Sequence, residues 1–454
     1  MEVESRLSIE ECQKARKARD PRFDGQFYIA VKTTGIFCRP ICPAVMPKEE
    51  NVEYYHHAIK ALQSGYRPCL RCRPDSAPHS WAWKGTETTF QRAITMIERG
   101  ELQTQSLAEL AKRLGISDRY LRQLFDKHLG MSPKQYAQYH QLMFAKQLLH
   151  TSSMSIGDVS FACGFNSIRR FNDAFKKYLK LTPSQMRKNT SMKQSTHQLS
   201  LAFRAPFNWQ HMLNFYRLRA ISSIEIVDEN SYQRHFIING VKGWFKASLG
   251  KSDVLDISFE LDDMTQLQNL VSQLRRMFDL DIDIHSIEEQ LEQSAPGLIK
   301  EHGLRIPGVW NAWEAGVRAI LGQQVSVKAA IGQLNLLVDT LGEQTESAMY
   351  FPTPEKVASS DVSFLRMPNS RKETLSRFAR YMCESFDEHP SEWLSLKGIG
   401  PWTINYALLR GLSQSDCFLD TDLVVKKAMA EYTNLNPKSV APWGSYATFH
   451  CWNL

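Results

Sequence analysis

The chain has 454 residues, of which 43% are hydrophobic and 23% charged, the balance of a globular protein with about three domains. No window approaches the ~18 uninterrupted apolar residues of a membrane span, and the charged opening MEVESRLSIEECQKARKARD argues against an export signal, so a cytoplasmic, nucleoid-associated protein with no membrane partner is expected. Nine cysteines in such a chain suit thiols or metal rather than a disulfide framework. The net charge of +7 is uneven: residues 1–80 carry +3, residues 81–190 carry +9 and residues 191–454 carry −5. A compact basic middle segment is an electrostatic footprint for phosphate, although a solvated Lys/Arg face would give the same count.

The first segment, to about Asp75, has little room for a core; it offers one strand-like run, Phe27 to Val31, among turns. A domain that small needs a staple. Its cysteines come in two close pairs, Cys38/Cys42 and Cys69/Cys72, with 26 residues between them. Two such pairs can present four thiolates tetrahedrally, which predicts Zn²⁺ as cofactor. By spacing alone the site is a structural staple. The runs Asp20-Pro-Arg-Phe-Asp-Gly25, Thr33-Thr-Gly-Ile-Phe-Cys-Arg-Pro40 and Gly65-Tyr-Arg-Pro-Cys-Leu-Arg-Cys72 resemble the N-terminal domain of the Ada adaptive-response regulators. That resemblance implies that Cys38 accepts a methyl group from a DNA methylphosphotriester while Cys42, Cys69 and Cys72 remain ligands.

A polar, Pro/Gly/Ser-containing stretch, Ser76 to Gly85, separates this segment from one with helical periodicity throughout. Helices are predicted over Thr89–Arg99, Leu107–Leu114, Leu121–Leu129 and Pro133–Leu149, resuming through Val159 and Phe165 to Tyr178. Leu107 to Phe125 has the layout of a helix-turn-helix: Ala111 is small where helices cross, Gly115 suits the turn and Ser117 can cap the second helix. Ile156 to Phe171 repeats that layout with Gly164 at the turn. The pair resembles the DNA-binding domain of the AraC family over about 100 residues. Arg119, Arg122, Arg169 and Arg170 are then the expected groove or phosphate contacts.

After a second polar stretch, Asn189 to Gln198, β-like alternation appears at Leu199–Arg204, Ile224–Val227, His235–Ile238 and Leu255–Phe259; from about Thr265 the pattern is helical. Leu396-Lys-Gly-Ile-Gly-Pro-Trp-Thr403 marks a helix end, a tight hairpin at Gly398 and Gly400, and a new helix whose backbone amides can approach a phosphate. With Ala315 to Ser326 and Phe418-Leu-Asp-Thr-Asp-Leu423, it resembles the helix-hairpin-helix glycosylases, specifically the AlkA-type methyladenine glycosylase II, over nearly all of 199–454. The resemblance puts the catalytic carboxylate on Asp422, with Asp420 as competitor. An alkylated base is already a good leaving group, so a π-rich pocket matters more than a strong acid; Trp402, Tyr406, Trp452 and Phe215 are its candidates. For Phe215 and Trp452, core packing is an equal reading. Gly398, Gly400 and Gln324 are expected DNA contacts, Gln324 standing where a relative carries an intercalating leucine. Trp402 occupies the place of the lyase branch's lysine, which implies a monofunctional glycosylase.

The fold class expected is multidomain and mostly α with α+β parts, divided as 1–78, 86–188, 199–285 and 286–454. The function expected is an alkylation-damage response that joins methyl transfer, gene activation and base excision. Double-stranded DNA and RNA polymerase are the expected partners of a monomer. A regulator whose C-terminal half only binds DNA is the alternative.

Overall fold

The computed structural model describes residues 7, 9–18, 27–42, 44–69, 72, 74, 88–98, 100–187, 197–251 and 253–454. The chain forms two compact units, Met1–Lys193 with Leu267–Asn269, and Gln194–Gln266 with Leu270–Leu454. Among the described residues no helix is long and apolar enough to cross a membrane.

The first unit opens on helix Ile9–Ala18 and a four-stranded sheet of β1 (Tyr28–Val31), β2 (Ile36–Cys38), β3 (Val52–Tyr55) and β4 (Arg67–Pro68), ordered β3-β1-β2-β4. β1 is antiparallel to both β2 and β3, whereas β2 and β4 run parallel, with helix Ala58–Gln63 between β3 and β4 in the chain. Its core is small: Cys12, Ala15, Phe27, Ile29, Val31 and Val52. The predicted linker Ser76 to Gly85 lies outside the described residues.

The rest of this unit is helical, and serines set its register. Ser106 caps helix Leu107–Arg113 in a reciprocal box with Glu109, and Ser117 caps helix Asp118–Leu129 by accepting from the Tyr120 N–H. Ser155 and Ser167 do the same for helices Ile156–Ala162 and Ile168–Leu179. Gly115 and Gly164 take φ of +70° and +78° in the two turns, which a β-carbon would oppose. Helix Pro133–Thr151 joins the two motifs and ends at the Thr151-Ser-Ser break read from the sequence.

The second unit begins with an antiparallel sheet of β5 (His197–Ala202), β6 (Glu225–Val227), β7 (Ser231–Ile238), β8 (Val241–Leu249) and β9 (Val254–Leu261), ordered β5-β9-β8-β7-β6. β8 was not among the predicted strands. Gly243 on its inward face and Trp244 on its outward face blur an alternation in which Lys242 and Lys246 keep phase, and the sharper signal was the Asn239-Gly240 turn, where both residues have positive φ. The helical remainder holds one exception, a short ribbon pairing Glu343–Gln344 with Met349–Tyr350.

A buried charge cluster ties sheet to helices. Arg234 on β7 donates to Glu225 on β6 at 2.8 Å and to Glu314 on helix Ala312–Gly322 at 3.1 Å. Arg318, one turn along that helix, donates to Glu314 at 2.8 Å and to Glu225 at 3.2 Å. Two cations and two anions close a neutral ring with almost no access to water. Burial alone would hold Glu314 neutral, but the two guanidiniums win and pull it down to about 2. Glu314→Ala would leave charge buried and unpaired, which costs about 3–5 kcal/mol. The described tryptophans all lie in this unit, so the loss is expected in urea unfolding followed by tryptophan fluorescence. Glu343→Ala, which breaks an exposed pair with Lys242, is expected to change stability by less than about 1 kcal/mol.

Candidate functional site

The four cysteines meet because β2 and β4 are parallel neighbours. Their register pairs Phe37 with Pro68, and the Cys69 N–H donates to the Phe37 carbonyl at 2.9 Å, which sets Cys69 beside Cys38. A turn closed by the Cys42 N–H on the Arg39 carbonyl at 3.1 Å returns the second thiol to the first. The Arg39 N–H reaches the Cys72 sulfur at 3.4 Å. All four sulfurs lie within 4.8 Å of one another, and a tetrahedral Zn²⁺ with ~2.3 Å bonds needs them about 3.8 Å apart. Sharing with Cys42 pushes the Cys38 thiol far up, and donation from Cys38 pulls Cys42 down to about 7. Thiols that compete in this way for protons are the donor set a divalent, thiophilic cation satisfies, and Zn²⁺ is the cofactor. Exposure divides the set: Cys69 and Cys72 are buried, Cys38 and Cys42 only half-buried.

On the two recognition-type helices, Arg119 and Arg122 lie in the first turns of Asp118–Leu129, and Arg169 and Arg170 in the first turn of Ile168–Leu179; all four are exposed. Arg122 pairs with Asp118 at 3.5 Å, and the other three have no ion-pair partner among the described residues. Tyr120 and Ile168, 44% and 43% exposed, stand beside them. Sequence reading passed over both, since an apolar residue in a helix reads first as core.

The second unit carries a cleft of about 1320 Å³. Helix Pro401–Leu412 supplies one wall. Trp402 and Tyr406 are one turn apart on it and stack at 5.3 Å between ring centroids, with 27° between planes. The preceding hairpin turns at Gly398, whose φ is +95° and whose added β-carbon would sit 2.1 Å from the Thr374 hydroxyl. Gln323, another residue the sequence did not single out, donates to the Gly398 carbonyl at 3.1 Å and to Thr403 at 3.2 Å, fixing hairpin to helix. Gln324 sits exposed at the cleft with φ +56°.

Asp422 lines the same cleft from the N-cap of helix Leu423–Glu431. Its Oδ1 accepts from the Val424 N–H at 3.0 Å, the Val425 N–H at 3.4 Å and the Trp452 indole at 3.2 Å. Oδ2 has no partner among the described residues. The helix end and three donors hold Oδ1 in place, and Asp422 lines the cleft with Oδ2 unshared. Asp420 is exposed and is not part of the cleft wall, so only one of the two competing carboxylates meets the aromatics.

Trp452 lines the cleft as expected; Phe215 does not. Phe215 is buried behind Trp452, nearly parallel to it at 6.3 Å, with the Arg219 guanidinium 3.7 Å from its ring centre. Its ring supports the wall. The cleft is also more cationic than a purely π-rich pocket. Arg219 and Arg371 line it, Arg318 borders it with its carboxylates already engaged, and behind the wall buried Arg410 donates to the Tyr406 hydroxyl at 3.0 Å. Burial and neighbouring Arg410 bring Arg219 down to about 10. No lysine lines the cleft among the described residues.

Three family models match the chain: the metal binding domain of Ada over residues 11–75, a helix-turn-helix domain over 110–189, and the AlkA N-terminal domain over 198–311. A probable bifunctional transcriptional activator/DNA repair enzyme AlkA of Mycobacterium tuberculosis is 32% identical, across 98% of this chain and 96% of the relative. DNA-3-methyladenine glycosylase 2 of Escherichia coli is 30% identical over 56% of this chain and 96% of its own length. The bifunctional transcriptional activator/DNA repair enzyme Ada of the same organism is 41% identical over 27% of this chain and 33% of its own. With its zinc-binding cysteines, paired helix-turn-helix motifs and hairpin-bordered cleft in one polypeptide, the chain belongs to the family of Ada–AlkA bifunctional transcriptional activators and DNA repair enzymes.

Proposed function

We propose that the chain senses methylated DNA through Cys38, acts on promoters through residues 86–188 and excises alkylated bases of the 3-methyladenine type through residues 199–454, with an α/β subdomain to about residue 285. The observation that carries the excision half is that Asp422, with Oδ2 unshared, lines one cleft together with the stacked Trp402 and Tyr406. A flipped base enters between the aromatics. As the N-glycosidic bond breaks, the sugar gains positive charge, which the Asp422 carboxylate stabilises while water attacks the anomeric carbon. Gly398 and Gly400 let backbone amides approach the phosphates, while Gln324 sits where the vacated stack opens. The absence of a cleft lysine supports the monofunctional reading, with an intact abasic site as product.

In the zinc domain, Cys38, Cys42, Cys69 and Cys72 hold Zn²⁺, which supplies a deprotonated, nucleophilic sulfur when bound. The half-buried Cys38 sulfur attacks the methyl carbon of a methylphosphotriester; the S–C bond forms as the O–C bond breaks, and the phosphodiester departs with the negative charge. Four thiolates on a divalent ion carry −2, so the neutral thioether lowers repulsion of DNA by one unit. That change is the switch: Arg119, Arg122, Arg169 and Arg170 then engage promoter DNA more tightly, and RNA polymerase is recruited to a monomeric activator in the cytoplasm.

Wild-type protein is expected to release 3-methyladenine from methylated duplex DNA, and Asp422→Asn to slow that release roughly 10²–10³-fold. Equal rates for the two would remove Asp422 from the reaction, and no release by the wild type would leave a C-terminal half that only binds DNA. Exposure to methylphosphotriester DNA is expected to add one methyl group to the Cys38 peptide in mass spectrometry and to tighten promoter binding. Cys38→Ser is expected to abolish both effects; a methyl found on Cys42, or unchanged affinity after methylation, contradicts the switch.

A further inference from the structure

Arg219 stands out in the cleft because an unanswered charge is laid there on an aromatic face. Its guanidinium rests on the Phe215 face at 3.7 Å, and it spends a single N–H on the Phe215 carbonyl at 3.4 Å. No carboxylate pairs with it among the described residues. Glu225 and Glu314 are held in the ring with Arg234 and Arg318, and Arg318 donates to the Arg219 carbonyl at 2.8 Å, which fixes the backbone from which the side chain projects. Phe215 is in turn backed by Trp452, whose indole holds Asp422. A rigid, half-buried set of donors therefore faces the space where a base would be read.

A guanidinium offers only donors. Against the C6 edge of a purine it hydrogen-bonds a carbonyl oxygen, whereas it meets an amino group donor to donor. We infer that Arg219 is a specificity-determining residue that hydrogen-bonds a carbonyl oxygen on the extruded base, so that release of 6-oxopurine lesions gains from Arg219 what release of 6-aminopurine lesions does not. This rests on the base-excising reading of the cleft. Charge repulsion alone cannot produce the same preference between 7-methylguanine and 3-methyladenine, because both alkylated bases are cations and suffer it alike.

The test uses the full chain on methylated duplex DNA, which carries both bases, and on a duplex containing hypoxanthine, a neutral 6-oxopurine. Removing one charge-assisted hydrogen bond from a desolvated site is worth roughly 10- to 100-fold in rate. Arg219→Met is expected to slow release of 7-methylguanine and hypoxanthine about tenfold or more beyond any change in 3-methyladenine release. Arg219→Lys, which keeps the charge and part of the donor set, is expected to fall between. An equal loss for all three bases would make Arg219 a mere support for Phe215, and overturns the inference, as does an unchanged ratio. A wild type that releases 3-methyladenine and neither oxopurine overturns it while leaving base excision intact. A wild type that releases no base removes the base-excising reading and the inference together.

Discussion

The ring of Glu225, Arg234, Glu314 and Arg318 is the constraint on which the second unit depends. It joins two strands to the helix Ala312–Gly322, whose far end leads into Gln323 and Gln324 at the cleft. Buried ion pairs are poor sources of stability when compared with well-packed apolar residues. What this one supplies is register: each guanidinium touches both carboxylates, so a slip of sheet against helix would strand charge away from water. It also sets the cleft's electrostatics. Because the four charges cancel among themselves, the Arg219 and Arg371 guanidiniums that line the cleft and Arg410 behind Tyr406 have no carboxylate partner among the described residues, and Asp422 lines the same cleft. In the proposed reaction a developing cation on the sugar meets one carboxylate, while the base meets guanidiniums and π-faces.

The zinc domain solves a different problem with the same economy. Its core comprises a handful of residues, and the parallel pairing of β2 with β4 brings two distant cysteine pairs together. Bound Zn²⁺ closes those segments and keeps their sulfurs ionised. The fold stays intact when one sulfur turns from thiolate into thioether only if three ligands hold it; two of these, Cys69 and Cys72, are buried.

Much of this was legible in the sequence because it is written in local patterns. Cysteine spacing is a local pattern, as are Ser117 and Ser167 before helical runs and Gly398 between two helices. The locally written strand β8 was missed through its own interruptions, although Asn239-Gly240 announced the hairpin. What stayed illegible is assembled from distant segments. Of the buried ring only Glu314 and Arg318 are local, one helical turn apart; Glu225 and Arg234 meet them from strands about 80 to 90 residues away. Phe215 resembled a pocket aromatic until its face was found covered by Arg219 and its flank by Trp452, more than 200 residues away. Nothing in the spacing of Arg219 marks it as part of a cleft formed with Tyr406 and Asp422.

The central claim is that this cleft breaks an N-glycosidic bond with water and one carboxylate. It is tested most directly by the fate of the strand after base loss. A duplex with a single alkylated base, incubated with the full chain and resolved with and without alkali, is predicted to lose its base and yet remain unbroken until alkali cleaves the abasic site. Strand scission without alkali, or a duplex that keeps its base, would contradict the account.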